Sequence, residues 1–463
     1  MKSTANRKKN GLHIIIVGCG KVGCTLVDQL SKEGHDITVV DRSSTKVSSI
    51  TSTYDIMGIV GNGASYSVQM EAGVSNADLI IAVTESDELN LLCCTVARRV
   101  AKCAAIARVR TPDYSDDANY LIDKLDLAMI INPELEAANE VARILYLPTS
   151  LEVNTFAHGQ AELIKFKVPK ENMINNMTIS DLNKHISVKF IICGIERGGE
   201  VIIPTGDFVL KEDDLVSFVA TRQSAKDFLK KIGFKTNQVK NTMIIGGGKV
   251  AYYLAKRLIN YGISVKIIES DSARCDELSI LLPKAVIING DGTDEELLKE
   301  EGIEYVESFV PLTGIDEENI MLTLHANSVS NAKVITKINR INFKDVISNL
   351  DLGSVVYPKF ITSEAIIAYV RGKYNSTGDN IETLYHMFDS RVEAIEFVVR
   401  EESKITGIPI MNLNLKDNLI ICFINRNGKI IVPNGQDVIK VGDTVMVATK
   451  HTGFTVLGDI LKK

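Results

Sequence analysis

The strongest constraint in this sequence is an internal repeat. His13-Ile-Ile-Ile-Val-Gly-Cys-Gly-Lys-Val-Gly23 returns as Asn241-Thr-Met-Ile-Ile-Gly-Gly-Gly-Lys-Val-Ala251, 228 residues later. Three further blocks keep nearly the same offset: Thr38-Val-Val-Asp41 with Lys266-Ile-Ile-Glu269, Val60-Gly-Asn-Gly63 with Asn289-Gly-Asp-Gly292, and Thr84-Glu-Ser-Asp-Glu-Leu-Asn90 with Thr313-Gly-Ile-Asp-Glu-Glu-Asn319. Near the end of each half, Ile203-Pro-Thr-Gly-Asp207 with Asp213-Asp214 parallels Val432-Pro-Asn-Gly-Gln436 with Gly442-Asp443. A chain of 463 residues exceeds one hydrophobic core. The repeat divides it into two halves of the same two-part design.

The first part of a half alternates short β-branched runs (13–17, 37–40, 79–83, 105–108) with helical periodicity (22–33, 88–102). That alternation specifies βαβ units and a parallel sheet. The second part has apolar runs at 188–195, 201–203 and 215–220 separated by Gly-Gly and Pro-Thr-Gly turns, which are hairpin signals. The fold class is therefore α/β: a duplicated Rossmann-like, doubly wound parallel sheet, each copy followed by a small β-rich α+β domain. The expected boundaries are a basic tail 1–10, a nucleotide-binding domain 11–147, a small regulatory domain 148–234, a linker 235–240, a second nucleotide-binding domain 241–377 and a second small domain 378–463.

Gly18-x-Gly20-x-x-Gly23 follows a buried strand and opens an amphipathic helix, the context a dinucleotide fingerprint requires. The first glycine permits a tight turn, the second lets backbone approach a pyrophosphate, and the third allows close helix–strand packing. The helix N-terminus offers free N–H groups to phosphates. Asp41, at the end of the second strand, is placed to accept from a ribose diol and to repel a 2′-phosphate, favouring NAD(H) over NADP(H). The second copy has Ala251 for the third glycine, a replacement the fingerprint tolerates. Gly61-Asn62 after the third strand and Thr84-Glu85 after the fourth belong at the same crevice; the bland readings are a simple turn for the first and a helix cap for Thr84. Arg108 ends a strand where it either faces a phosphate or stands exposed without a ligand. Gly20-Lys21, Gly248-Lys249, Gly372-Lys373 and Gly428-Lys429 are not followed by Ser or Thr, so no P-loop is present.

The net charge of −6 lacks the excess of Lys and Arg that a nucleic-acid partner demands. Lys2, Arg7, Lys8 and Lys9 precede no signal-type apolar segment and read as a solvated tail. The longest apolar runs, such as 14–17 and 79–83, have the length of buried strands, so a membrane role must be exercised through a partner. The eight cysteines, Cys19, Cys24 and the vicinal Cys93-Cys94 among them, lack metal-ligand spacing and read as core residues in a reducing compartment. The seven histidines are scattered singly, which argues against a zinc site.

The tandem arrangement, carried by Val17-Gly-Cys-Gly-Lys-Val-Gly23, Val40-Asp41, Gly61-Asn-Gly63, Asp78-Leu-Ile-Ile-Ala-Val-Thr84 with Asn90, Ile106-Ala-Arg108 and their second-half counterparts, resembles the TrkA family of bacterial Trk potassium uptake systems. The resemblance runs from about residue 11 to 463. It implies a cytoplasmic regulatory subunit, peripheral on the inner face of the plasma membrane, whose potassium-conductance-regulating modules assemble as a homo-oligomeric ring, such as a tetramer, beneath a potassium-translocating membrane protein. Such modules bind NAD(H), and often ATP or ADP. Carried over residue by residue, contacts fall on Gly18, Cys19, Gly20, Lys21, Val22, Gly23, Asp41, Gly61, Asn62, Thr84, Glu85 and Arg108. In the second half they fall on Gly246, Gly247, Gly248, Lys249, Val250, Glu269, Gly290, Asp291, Thr313 and Lys337. Lys337 replaces Arg108, Gly314 replaces Glu85 and Glu269 replaces Asp41, so the second site is expected to be weaker or to prefer another nucleotide.

The rival reading is an NAD-dependent oxidoreductase, because the fingerprint is shared. Tyr120 and Lys124, Tyr252 and Lys256, and Tyr369 and Lys373 each match a Tyr-x-x-x-Lys acid–base pair, but none recurs at an equivalent position of the repeat. With the repeats assigned, no substantial substrate domain remains, and the expectation is a non-enzyme.

Overall fold

The computed structural model describes residues 11–234, 236–339, 350–374 and 380–462. The expected basic tail 1–10 and the first residue of the expected linker lie outside the described residues. Contacts divide the chain into two units, Met1–Glu136 with Pro358–Ile367, and Ala137–Tyr357 with Ala368–Lys463.

In the first unit, strands β1 (His13–Val17), β2 (Asp36–Asp41), β3 (Met57–Val60), β4 (Leu79–Ala82), β5 (Ala104–Arg108) and β6 (Met129–Ile131) form one parallel sheet in the order β3-β2-β1-β4-β5-β6. Ile14, Ile15 and Ile16 of β1 and Ile80 and Ile81 of β4 are fully buried, as strands covered by helices on both faces must be. The helix Lys21–Lys32 buries Val22, Leu26, Val27 and Leu30, one stripe at helical spacing. Ser43 and Ser86 cap the helices Ser44–Thr53 and Asp87–Val100 by accepting from Lys46 N and Leu89 N. The strand order reverses between β1 and β4, with Val17 beside both Val40 and Ala82. A crevice opens at the carboxyl ends of the strands there.

In the second unit, β7 (Glu152–Phe156), β8 (Ala161–Lys167), β9 (Ile191–Arg197), β10 (Glu200–Ile202) and β11 (Leu215–Thr221) make an antiparallel sheet ordered β10-β9-β11-β8-β7. The parallel design then returns in β12 (Asn241–Ile245), β13 (Ser264–Glu269), β14 (Val286–Asn289), β15 (Ser308–Pro311), β16 (Lys333–Lys337) and β17 (Ser354–Val356), ordered β14-β13-β12-β15-β16-β17. A second antiparallel sheet follows: β18 (Asn380–Met387), β19 (Val392–Val398), β20 (Leu419–Arg426), β21 (Lys429–Ile431) and β22 (Thr444–Thr449), ordered β18-β19-β22-β20-β21. The repeated Asp214 and Asp443 acquire a physical reason here. Each is buried and accepts two parallel bonds from an arginine, Arg197 at 2.7 and 2.7 Å and Arg426 at 2.8 and 2.7 Å.

The two antiparallel sheets share a core, in which Phe156, Leu163, Cys193 and Val219 meet Met387, Phe388, Cys422, Phe423 and Met446. Polar contacts frame it: Ala157 N donates to Glu396 Oε1 at 3.0 Å, Tyr385 Oη to Glu152 Oε2 at 2.9 Å, and Lys450 Nζ to Val201 O at 3.0 Å. The strand expected at 188–195 lies at Ile191–Arg197, because Val188 N still bonds to Ile186 O in the turn that ends the preceding helix. The expected linker is held in place: Gln238 Nε2 donates to Tyr261 O at 2.9 Å, Val239 N to Leu145 O at 3.2 Å and Lys240 N to Glu307 Oε2 at 2.7 Å. Seven of the free cysteines are buried and Cys24 is exposed. Among the described residues no helix is long and apolar enough to cross a membrane.

Candidate nucleotide-binding clefts

At the β1/β4 reversal lies a cleft of about 520 Å³, within the range of small-molecule sites. Gly18 leaves β1 with φ +108°, a backbone conformation that favours glycine. A Cβ on Gly23 would stand 1.9 Å from Gly18 O, so the third glycine serves helix–strand packing. Gly20, the N-cap of the helix Lys21–Lys32, has open space where a Cβ would be and no side-chain cap. Its neighbouring N–H groups therefore face the cleft as a helix terminus awaiting acceptors.

Asp41 fixes this loop. Its Oδ2 accepts from Cys19 N at 2.7 Å and its Oδ1 from Ser43 N at 2.8 Å. The Cys19 thiol is pushed up to about 12 by burial and then by Asp41, which makes it inert rather than a nucleophile. Asn90, fully buried, ties the far wall: Oδ1 accepts from Thr84 N (2.8 Å) and Thr84 Oγ1 (2.6 Å), while Nδ2 donates to Thr84 O (3.2 Å) and Arg108 O (2.9 Å). Thr84 is thus a wall residue, and the helix cap is Ser86. Arg108 is not an exposed arginine. Its Nη2 donates to Thr84 O at 2.5 Å, and its Nε is buried with no hydrogen-bond partner among the described residues. Burial, then the neighbouring Arg110, holds its pKa below the ordinary guanidinium value. A buried donor without an acceptor is what a bound phosphate would correct.

Of the residues expected from sequence, Gly18, Gly20, Lys21, Val22, Asp41, Gly61, Thr84, Glu85 and Arg108 line this cleft. Cys19 reaches it through its N–H, Gly23 lies behind it, and Asn62 turns its Oδ1 back to Ala64 N at 3.2 Å. Gly61 is more than a turn residue, since a Cβ there would stand 2.7 Å from Val68 Cγ2. Sequence reasoning missed Arg42, Lys46 and Arg110, which also line the cleft. Their signal was available: Arg42 directly follows the acidic residue, and Arg110 stands two places beyond Arg108. Lys21, Arg42, Lys46, Arg108 and Arg110 outnumber Asp41 and Glu85, so the cleft suits a polyphosphate.

The second copy repeats the geometry with a different charge. Gly246 leaves β12 with φ +92°, and Glu269 Oε2 accepts from Gly247 N at 2.6 Å. Ala251 is fully buried in place of the third glycine. Asn319 repeats Asn90, accepting from Thr313 N at 2.9 Å and donating to Lys337 O at 3.0 Å. Lys337 Nζ donates to Leu312 O at 2.9 Å, and Asp291 Oδ1 accepts from Thr293 N at 2.9 Å. This cleft, about 700 Å³, is lined by Gly246, Gly247, Gly248, Glu269, Asp291, Thr313 and Lys337 of the expected residues, whereas Lys249, Val250 and Gly290 do not line it. Lys337 is its basic lining residue, against Glu269, Asp291 and Glu318. Arg274 Nε donates to Gly247 O at 2.7 Å, so the loop in this copy is held by protein on two sides.

The three Tyr/Lys pairs contribute no residue to the lining of either cleft. Lys124 and Lys256 instead stand 5.9 and 5.8 Å from the ring centroids of Tyr120 and Tyr252, along their own helices.

Comparison with known proteins agrees with the duplication. The TrkA-N domain matches residues 14–133 and 242–358, and the TrkA-C domain matches 163–233 and 394–461. A Trk system potassium uptake protein TrkA of Haemophilus influenzae is 31% identical over 442 residues, covering 94% of this chain and 95% of that protein. A TrkA homolog of Archaeoglobus fulgidus is 31% identical over 451 residues, covering 97% of this chain and 100% of the homolog. Among solved structures, the GsuK RCK domain superposes with a TM-score of 0.63 at 18% identity, covering 96% of this chain and 93% of that one, and so shares the fold.

Proposed function

The chain belongs to the TrkA family of Trk system potassium uptake proteins, and from that premise we propose that it is a nucleotide-responsive regulator of potassium uptake and not an oxidoreductase. The observation that carries this reading is the first cleft: a glycine loop held open by Asp41, an uncapped helix N-terminus and a buried Arg108 Nε, all facing one crevice. NAD(H), or ATP or ADP, is the ligand this arrangement fits, with phosphates over Gly20–Val22 and a ribose hydroxyl at Asp41. Asp41 has lone pairs beyond the two used by Cys19 and Ser43, so it accepts from a ribose without releasing the loop.

The protein acts from the cytoplasmic face of the membrane on a potassium-translocating partner, as a closed homo-oligomer, a ring such as a tetramer. Nucleotide is sensed, not consumed. A ligand shifts an equilibrium only by its differential affinity for the two states. Moving a population from about 1:99 to 99:1 takes ~5.5 kcal/mol, which several tenfold preferences of ~1.4 kcal/mol supply together. Duplication within the chain and oligomerisation provide those sites.

The test is potassium flux in vesicles containing the translocating partner with this protein added. Flux that depends on NAD(H), ATP or ADP, with nucleotide recovered intact, is expected. Sustained oxidation of NADH with a carbonyl substrate, or flux indifferent to every nucleotide despite measured binding, overturns the reading.

A further inference from the structure

Each half carries a buried glutamate as the second residue of the corresponding strand, Glu162 in β8 and Glu393 in β19, 7% and 1% exposed. The two are handled differently. Glu393 is closed off: Arg371 donates to it through Nη1 at 3.1 Å and Nη2 at 3.0 Å, and Gly453 N adds a bond at 3.3 Å. Glu162 has no such clamp. Arg143, which stands 228 residues before Arg371, turns its Nε away to Val153 O at 3.0 Å, and the ion pair of Glu162 is with Arg222 Nε at 3.5 Å.

Where the second half has the closed pair, the first half has a cleft of about 290 Å³ lined by Arg143, Tyr146, Glu162, Arg222 and Lys226. The Tyr146 ring carries the Arg222 guanidinium at 4.5 Å and the Lys226 ammonium at 5.8 Å from its centroid. Both cations are thereby held at the cleft by a cation–π contact, which leaves the Lys226 ammonium and the Arg222 Nη groups for another acceptor. Arg143 and Arg222 act on the one carboxylate, Lys226 lines the same cleft, and burial pushes that carboxyl up despite Arg222 and Arg143. The cleft therefore has an excess of positive charge and of donors, and Glu162 is a poor match for them.

We infer that this cleft between the helix end Arg143–Tyr146 and the first antiparallel sheet is a further anion site, taking a small phosphate anion between Arg143, Arg222 and Lys226. The guanidiniums supply planar paired donors and the lysine a point charge, the combination that selects a tetrahedral dianion. The site is distinct from both nucleotide clefts, with which it shares no lining residue.

The test is calorimetric titration of the full chain with inorganic phosphate. In Gly20→Val, which obstructs the first nucleotide cleft, a saturable phosphate site is still expected. Lys226→Gln and Arg222→Gln each weaken it by about tenfold, the loss of one charge-assisted donor. Glu162→Gln tightens it severalfold, because the competing carboxylate is gone. This is a readout that a purely structural ion pair would not produce. Phosphate binding abolished by Gly20→Val and indifferent to Lys226→Gln would place the anion in the nucleotide cleft and overturn the assignment. So would the lack of any saturable site at tens of millimolar phosphate, on the order of the weakest useful affinities.

Discussion

The Asp41 carboxylate grips the backbone of Cys19, Oδ2 to N–H at 2.7 Å, and so holds the glycine loop in the shape that leaves Gly20 open to the cleft. Asp41→Ala removes both that anchor and the ribose acceptor, and is expected to weaken NADH binding ten- to hundredfold, ~1.5–3 kcal/mol. Asp41→Asn keeps one acceptor oxygen and should fall between the two. Calorimetry at the first cleft checks this, and an unchanged affinity in Asp41→Ala removes Asp41 from the site.

Arg108→Met tests the buried Nε without a partner. ADP affinity should drop by about tenfold or more, the loss of a charge-assisted bond to phosphate. The thermal midpoint should stay level or rise, since a buried cation with an unsatisfied Nε donor is removed. A falling midpoint with unaltered ADP binding would mean that Arg108 only braces Thr84, to whose carbonyl it donates.

The two clefts should separate in titrations. Gly20→Val, in the cleft lined by five basic side chains, is expected to abolish the tighter phase of ADP binding. Gly248→Val, in the cleft where Lys337 faces three carboxylates, should leave it intact. Equal losses in both variants would show that the charge difference does not set affinity.

Glu396 gives a pH signature. Burial raises its carboxyl from the ordinary 4.5 to about 7, against the hydrogen bond from Ala157 N. The folded state therefore binds more protons than the unfolded state between these values, so the Glu396 contribution to stability is fully present below about pH 4.5 and is lost as pH rises through about 7. Glu396→Gln, which can still accept from Ala157, should raise stability at pH 8 by on the order of 1–3 kcal/mol. It should also flatten the dependence between pH 5 and pH 7, measured by denaturant unfolding at a series of pH values; a parallel dependence in the variant would exonerate Glu396.

The parallel sheets were legible in the sequence because their signals are local: a glycine loop after a buried run, an acidic residue at the next strand end, and the whole set repeated. The order β3-β2-β1-β4-β5-β6 follows once those βαβ units are recognised. The side chains that complete the first cleft were less visible. Arg42 and Arg110 neighbour recognised positions but belong to no motif, and only the fold brings Arg42 and Lys46 to the same cleft as Arg108. Thr84 could be read as a cap because Ser86, the residue that caps the helix, is two places away. The shared core of Cys193 with Cys422 and Phe156 with Phe423 depends on how two distant sheets pack, which no window along the chain reports.

That shared core has a thermodynamic consequence. Two sheets borne on separate chains would meet by collision, and their union would weaken on dilution. Here a continuous polypeptide joins them, so their meeting is a unimolecular event governed by an effective concentration set by the tether. This joint cannot dissociate as the protein is diluted, and any dilution-sensitive association must use other surfaces. Fusion also relieves the two faces of the need to be identical. The Arg371–Glu393 pair in one half and the Glu162–Arg222 pair in the other are what such released symmetry permits.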